Sequence, residues 1–130
     1  MKTELVYLVC VTLLTALMWI PYILDRLAVR GTPDTMGYPQ SPKPQSAWAQ
    51  RMLKAHANAV ENLVIFATLV LVANAAGVSN STTVLACMIY FWARVVHYLA
   101  YTFALPWIRT LAFAAGFVAQ MMLALPLLMR

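Results

Sequence analysis

No charged side chain stands between Leu5 and Leu24, and none between Asn62 and Ala93. A helix of about 20 apolar residues crosses roughly 30 Å of hydrocarbon. At that depth every backbone N–H and C=O must find its partner inside the protein, so only helices and closed barrels can span. The apolar positions recur with a helical period, and the sequence predicts an all-α integral membrane protein, a four-helix bundle. Composition agrees. Only 10% of the 130 residues are charged and 63% are hydrophobic, whereas a water-soluble domain carries about 25% charged residues. The length suits one domain over residues 1–130.

The first span is expected from Leu5 to Leu27. It is too long for the apolar region of a signal peptide, and Pro21-Tyr22 offers no small-residue cleavage site, so it reads as a retained span. From Arg30 to Ser46 the chain carries Gly31, Gly37, Pro33, Pro39, Pro42 and Pro44. Prolines at that density interrupt helical hydrogen bonding, and this segment is expected as a loop. Ser46 is a candidate N-cap for a second helix that runs to about Ala76. A turn at Gly77–Ser81 leads to a third helix, Thr82 to Phe103. Leu105-Pro106 ends it, and a fourth follows from Trp107 to Leu128. Trp19, Trp48, Trp92 and Trp107 fall near span ends, where indole rings anchor at the membrane–water interface.

The net charge is +5. In a four-span chain Arg26, Arg30, Lys43, Arg51, Lys54 and Arg109 lie on one side, and Lys2 and Arg130 on the other. The positive-inside rule then puts both termini outside and the first and third loops in the cytoplasm. For a bacterial chain the membrane is the inner one. The positive residues form no stripe, so no nucleic-acid partner is expected; membrane lipids are. Cys10 and Cys87 stand mid-span without a CxxC or His pattern and read as small core hydrophobes.

The second and third helices carry the polar residues. At about 100° per residue, Arg51, Lys54, Asn58 and Glu61 share an arc of roughly 80°, with His56 on the far side. Tyr90, Arg94, His97 and Tyr101 make a second stripe. A tight turn makes the two helices antiparallel neighbours, which brings Glu61 and Arg94 to similar depth. A buried Glu61–Arg94 pair is expected there, as a helix clamp or as part of a ligand site. Lys54, Asn58, Arg94, His97, Tyr101 and Arg109 supply donors and positive charge, and Glu61 is the one acid. That set suits a small ligand with two carboxylates, an ammonium and a thiol. Arginine beside a thiol lowers its pKa from about 8.5. His56, off the stripe, reads as a structural hydrogen-bonder. No metal site is expected: the two histidines lie on different helices, with no i, i+4 pair.

At these residues the chain resembles the MAPEG family, the membrane-associated proteins in eicosanoid and glutathione metabolism. One motif is Arg51-Met52-Leu53-Lys54-Ala55-His56-Ala57-Asn58-Ala59-Val60-Glu61. The other is Ala93-Arg94-Val95-Val96-His97-Tyr98-Leu99-Ala100-Tyr101, followed by Pro106 and Arg109-Thr110. The resemblance implies a homotrimer of four-helix subunits, with glutathione as cosubstrate bound between subunits near the cytoplasmic face. It implies Lys54, Asn58, Glu61, Arg94, His97 and Tyr101 as glutathione contacts, and Arg109 as the catalytic residue that stabilises the thiolate. The activity implied is transfer of glutathione to lipophilic electrophiles, or reduction of lipid hydroperoxides; the alternative is a non-catalytic lipid-binding or scaffold protein. Lys54 stands where members commonly have Arg, Ala57 where prostaglandin-synthase-like members have Arg, and Asn62 where leukotriene-synthase-like members have Tyr. The pattern is thus not that of an eicosanoid synthase and is similar to a bacterial branch.

Overall fold

The computed structural model describes residues 1–129. Five helices follow one another: α1 (Thr3–Leu17), α2 (Trp19–Met36), α3 (Ala47–Ala75), α4 (Ser81–Thr102) and α5 (Pro106–Leu128). They give four segments long and apolar enough to cross a membrane, because α1 and α2 run on as one, Thr3–Met36. Among the described residues there is no strand. The break between α1 and α2 lies at Met18, whose N–H reaches back to Thr15 O at 3.3 Å. Pro21 explains it: proline has no N–H to give the carbonyl four residues earlier, and its ring crowds that carbonyl.

Helix continues further than the expected loop boundary at Arg30. The chain does break at Gly31, at φ 79°, a conformation that glycine adopts without penalty. A further helical turn then forms to Met36, with Pro33 near its start, where a missing N–H is harmless. Between α2 and α3 only residues 37–46 lie outside a helix. Asp25 ties them down. Its carboxylate accepts from Ser46 N (3.1 Å), Ser46 Oγ (2.5 Å) and Gln45 Nε2 (3.3 Å). Ser46 holds the N-cap position of α3, as expected, but makes no side-chain cap. Its hydroxyl donates to Asp25 instead, and the Asp25 carboxylate stands at the positive end of α3.

Two tight corners close the bundle. In each, the N–H three residues past the end of the helix reaches back into the last turn: Val78 N to Ala73 O, and Leu105 N to Ala100 O, both 2.8 Å. The residue at the corner is left-handed in both. In the first it is Gly77 (φ 72°), in the second Ala104 (φ 58°). Asn80 caps α4 reciprocally with Thr83.

Small residues let the helices approach. Ala49, Ala55, Ala59, Ala73, Ala86 and Ala119 are buried along the contacts, as expected where packing rather than the hydrophobic effect joins helices in lipid. Phe66 and Tyr90 stack at the centre, ring centroids 3.8 Å apart. Gly116 on α5 lies against that tyrosine ring. The outward faces are apolar, and Trp19, Trp48, Trp92 and Trp107 are all exposed.

Candidate functional site

The α3–α4 register decides which polar residues meet. Arg51 Nε donates to Thr102 O at 2.9 Å, Arg94 Nη2 to Asn58 Oδ1 at 2.8 Å, and Phe66 stacks on Tyr90. These rungs put Asn58, one turn before Glu61, opposite Arg94. The expected Glu61–Arg94 pair is therefore not formed within the chain. Glu61 is exposed, and Arg94, only 2% exposed, bonds to Asn58 and to His97 Nδ1 (3.3 Å). Arg94 Nε and the neighbouring Tyr90 hydroxyl are buried without a partner among the described residues.

In front of this cluster lies a cavity of about 280 Å³, lined by Asn58 from α3, His97 and Tyr101 from α4, and Arg109, Thr110 and Phe113 from α5. The Arg109 guanidinium carbon sits 4.9 Å from the centroid of the Tyr101 ring, a cation–π contact. Phe113 and Tyr101 both lie against the His97 ring. A second cavity, about 210 Å³, shares Tyr101 and Arg109 and reaches Arg51 and the α4–α5 corner. Arg109 thus stands between a polar chamber and a more apolar one, in the first turn of α5, where backbone N–H groups point out unpaired. The space under Glu4 at the other end of the bundle is only about 10 Å³, room for one water at most.

Of the residues singled out from the sequence, Asn58, Arg94, His97, Tyr101 and Arg109 come together. Lys54 and Glu61 do not; both lie exposed on α3. Thr110 and Phe113 are lining residues that the motifs did not flag. Phe113 stands at i+4 from Arg109, and that spacing was the available signal. Asn62 joins the cluster by donating to Asn58, and Gln120 from α5 donates to Asn62 O. His56 is held by Tyr22, at 2.8 Å from Nδ1 to the hydroxyl, the structural role its position suggested.

The model of the MAPEG family matches residues 5–129. The chain belongs to the MAPEG family. Neither a curated protein nor a solved structure matches it. Its four apolar spans make this MAPEG chain an integral, multi-pass membrane protein in contact with lipid. The family includes glutathione transferases, peroxidases and related proteins, and its members commonly use glutathione. In this chain Arg94 and His97 of the α4 motif face inward, while Lys54 and Glu61 of the α3 motif face outward.

Proposed function

We propose that this MAPEG chain is a membrane-bound, glutathione-dependent transferase or peroxidase, acting on lipophilic electrophiles or lipid hydroperoxides. The observation that carries the reading is the cavity in which Asn58, His97, Tyr101 and Arg109 converge. It is walled by donors and a guanidinium, as a carboxylate-bearing thiol requires. Arg109 has its charge beside the chamber and raises the thiolate fraction of a thiol bound there. The thiolate then attacks the electrophilic carbon and displaces the leaving group, or attacks the distal oxygen of a hydroperoxide, breaking the O–O bond to release the alcohol, and a second glutathione turns the resulting sulfenic acid into the disulfide and water.

The glutathione site is completed between copies in a homotrimer. Lys54 and Glu61 support this. They are the exposed charges of a helix whose outward face is otherwise uncharged, and charge on a spanning helix seeks a partner or a wet cavity. Lys54 then takes a second carboxylate and Glu61 the ammonium. The side rich in Arg26, Arg30, Lys43, Arg51 and Arg109 faces the cytoplasm, so the thiol enters from there and the lipophilic partner from the bilayer.

Calorimetry of the detergent-solubilised protein with glutathione, followed by turnover with chlorodinitrobenzene, is the test. Saturable binding with thiol-dependent release of chloride is expected. Neither binding nor turnover with any electrophile would hand the protein to the lipid-binding reading. The apolar groove between α4 and α5, formed by Trp92, Val96, Ile108 and Leu111, favours that reading.

A further inference from the structure

A guanidinium has five N–H donors and no acceptor. Whatever it meets at hydrogen-bond distance must accept. Arg94 Nη2 lies 3.3 Å from His97 Nδ1, so that nitrogen carries the lone pair. The neutral ring then keeps its hydrogen on Nε2. The same Nη2 lies 2.8 Å from one side of the Asn58 amide, which also receives Asn62 Nδ2 at 3.3 Å. Two donors on one side make that atom the oxygen and turn the amide NH2 the other way. Asn58 and His97 both line the cavity, and Arg94 does not.

We infer that Arg94 is a positioning residue. It holds His97 as the Nε2–H tautomer and Asn58 with its NH2 toward the cavity, so that this wall offers only donors to a carboxylate. From α5, Arg109 adds further donors and positive charge, while the Thr110 hydroxyl donates to Pro106 O at 2.9 Å and turns only its lone pairs to the cavity. No acidic side chain is among the lining residues. The buried charge of Arg94, with no carboxylate partner among the described residues, adds to the same positive field. The sequence placed Arg94 among direct ligand contacts; the geometry assigns it to the layer behind them. The ligand's class rests on the glutathione reading above, but the tautomer does not.

The test therefore has two arms. The first is ¹⁵N spectroscopy of histidine-labelled protein in detergent without ligand, with His56→Gln to assign the two rings. His97 should show an unprotonated Nδ1 and a protonated Nε2; a protonated Nδ1 overturns the inference. In Arg94→Met the tautomers should mix, and an unchanged His97 spectrum in a folded Arg94→Met would equally overturn it. The second arm is calorimetry of Asn58→Asp with glutathione. Its carboxylate can still meet Arg94, so the fold should persist, while a donor facing the ligand is lost and affinity falls by roughly tenfold or more. Unchanged affinity contradicts the donor wall. If the unaltered protein binds no glutathione and yet shows the Nε2–H ring, Arg94's role is supported and the proposed function fails.

Discussion

Arg109 and Lys54 are both cationic, yet the structure gives them different surroundings, and their substitution should read out differently. Arg109 stands over Tyr101 at the junction of two cavities. Arg109→Ala should lower turnover with chlorodinitrobenzene by roughly 10² or more, the scale of losing one electrostatic stabiliser, and leave glutathione affinity within about twofold. Full turnover in Arg109→Ala would remove its thiolate role. Lys54 is exposed on α3. Lys54→Ala should weaken glutathione binding with turnover of the bound complex retained. An unchanged dissociation constant would take Lys54 out of the site. Residue types and helical spacing made the Arg94–His97–Tyr101 stripe visible in the sequence. They did not show that the Arg94 side chain turns back to Asn58. That depends on a register offset of a single turn, which no pattern within one helix records.

At the scale of elements, the corners and the α2–α3 connection make distinct demands. Ala104 holds a left-handed conformation that costs an L-residue about 1 kcal/mol. Ala104→Gly should therefore raise stability in a thermal unfolding assay by about 0.5–1 kcal/mol, while Gly77→Ala should lower it by a similar amount. Shifts of the same sign at the two corners, or none at either, would mean the backbone relaxes there. Asp25 replaces the absent side-chain cap of α3 and gathers three donors from Gln45 and Ser46. Asp25→Ala leaves the part-buried Ser46 N–H and hydroxyl without their acceptor, while Gln45 keeps Tyr22 O, and should cost about 1–3 kcal/mol. Proteolysis of the connection at residues 37–46 should speed up alongside. Helix spans were legible to within a few residues, because length and apolar period carry that signal. The α2 extension was not: proline density argued for a loop, and Pro33 in a first turn is compatible with helix.

For the whole molecule, the asymmetric distribution of Arg and Lys between the two ends of the bundle predicts its orientation. Reporter fusions at Met1 and Arg130 should both score outside, and one at Lys43 inside; termini that score cytoplasmic would reverse the assignment. The packing makes a second demand. Gly116 faces the Tyr90 ring, and a Cβ there would lie 3.9 Å from it, an ordinary contact. Gly116→Ala should be tolerated. Gly116→Leu should drive α5 off α4 and lower the yield of folded protein by the cost of overpacking, about 1–3 kcal/mol. Equal thermal stability of the two variants would show that α4 and α5 are not held at this point.

By itself the sequence determined the solvent, the number of spans and the stripe on which polar chemistry gathers. Uncharged runs and helical period are local properties, and hydrocarbon leaves the chain few alternatives. Two family motifs were also written in it, and the match over residues 5–129 bears that out. Only the tertiary structure decided which residues share a wall and which stand behind it. The offset of α3 against α4 is set by how Ala and aromatic side chains interlock between helices, and it pairs Arg94 with Asn58 rather than Glu61. Likewise the Asp25 cap joins positions far apart in the chain, a contact that exists only once α2 and α3 have packed.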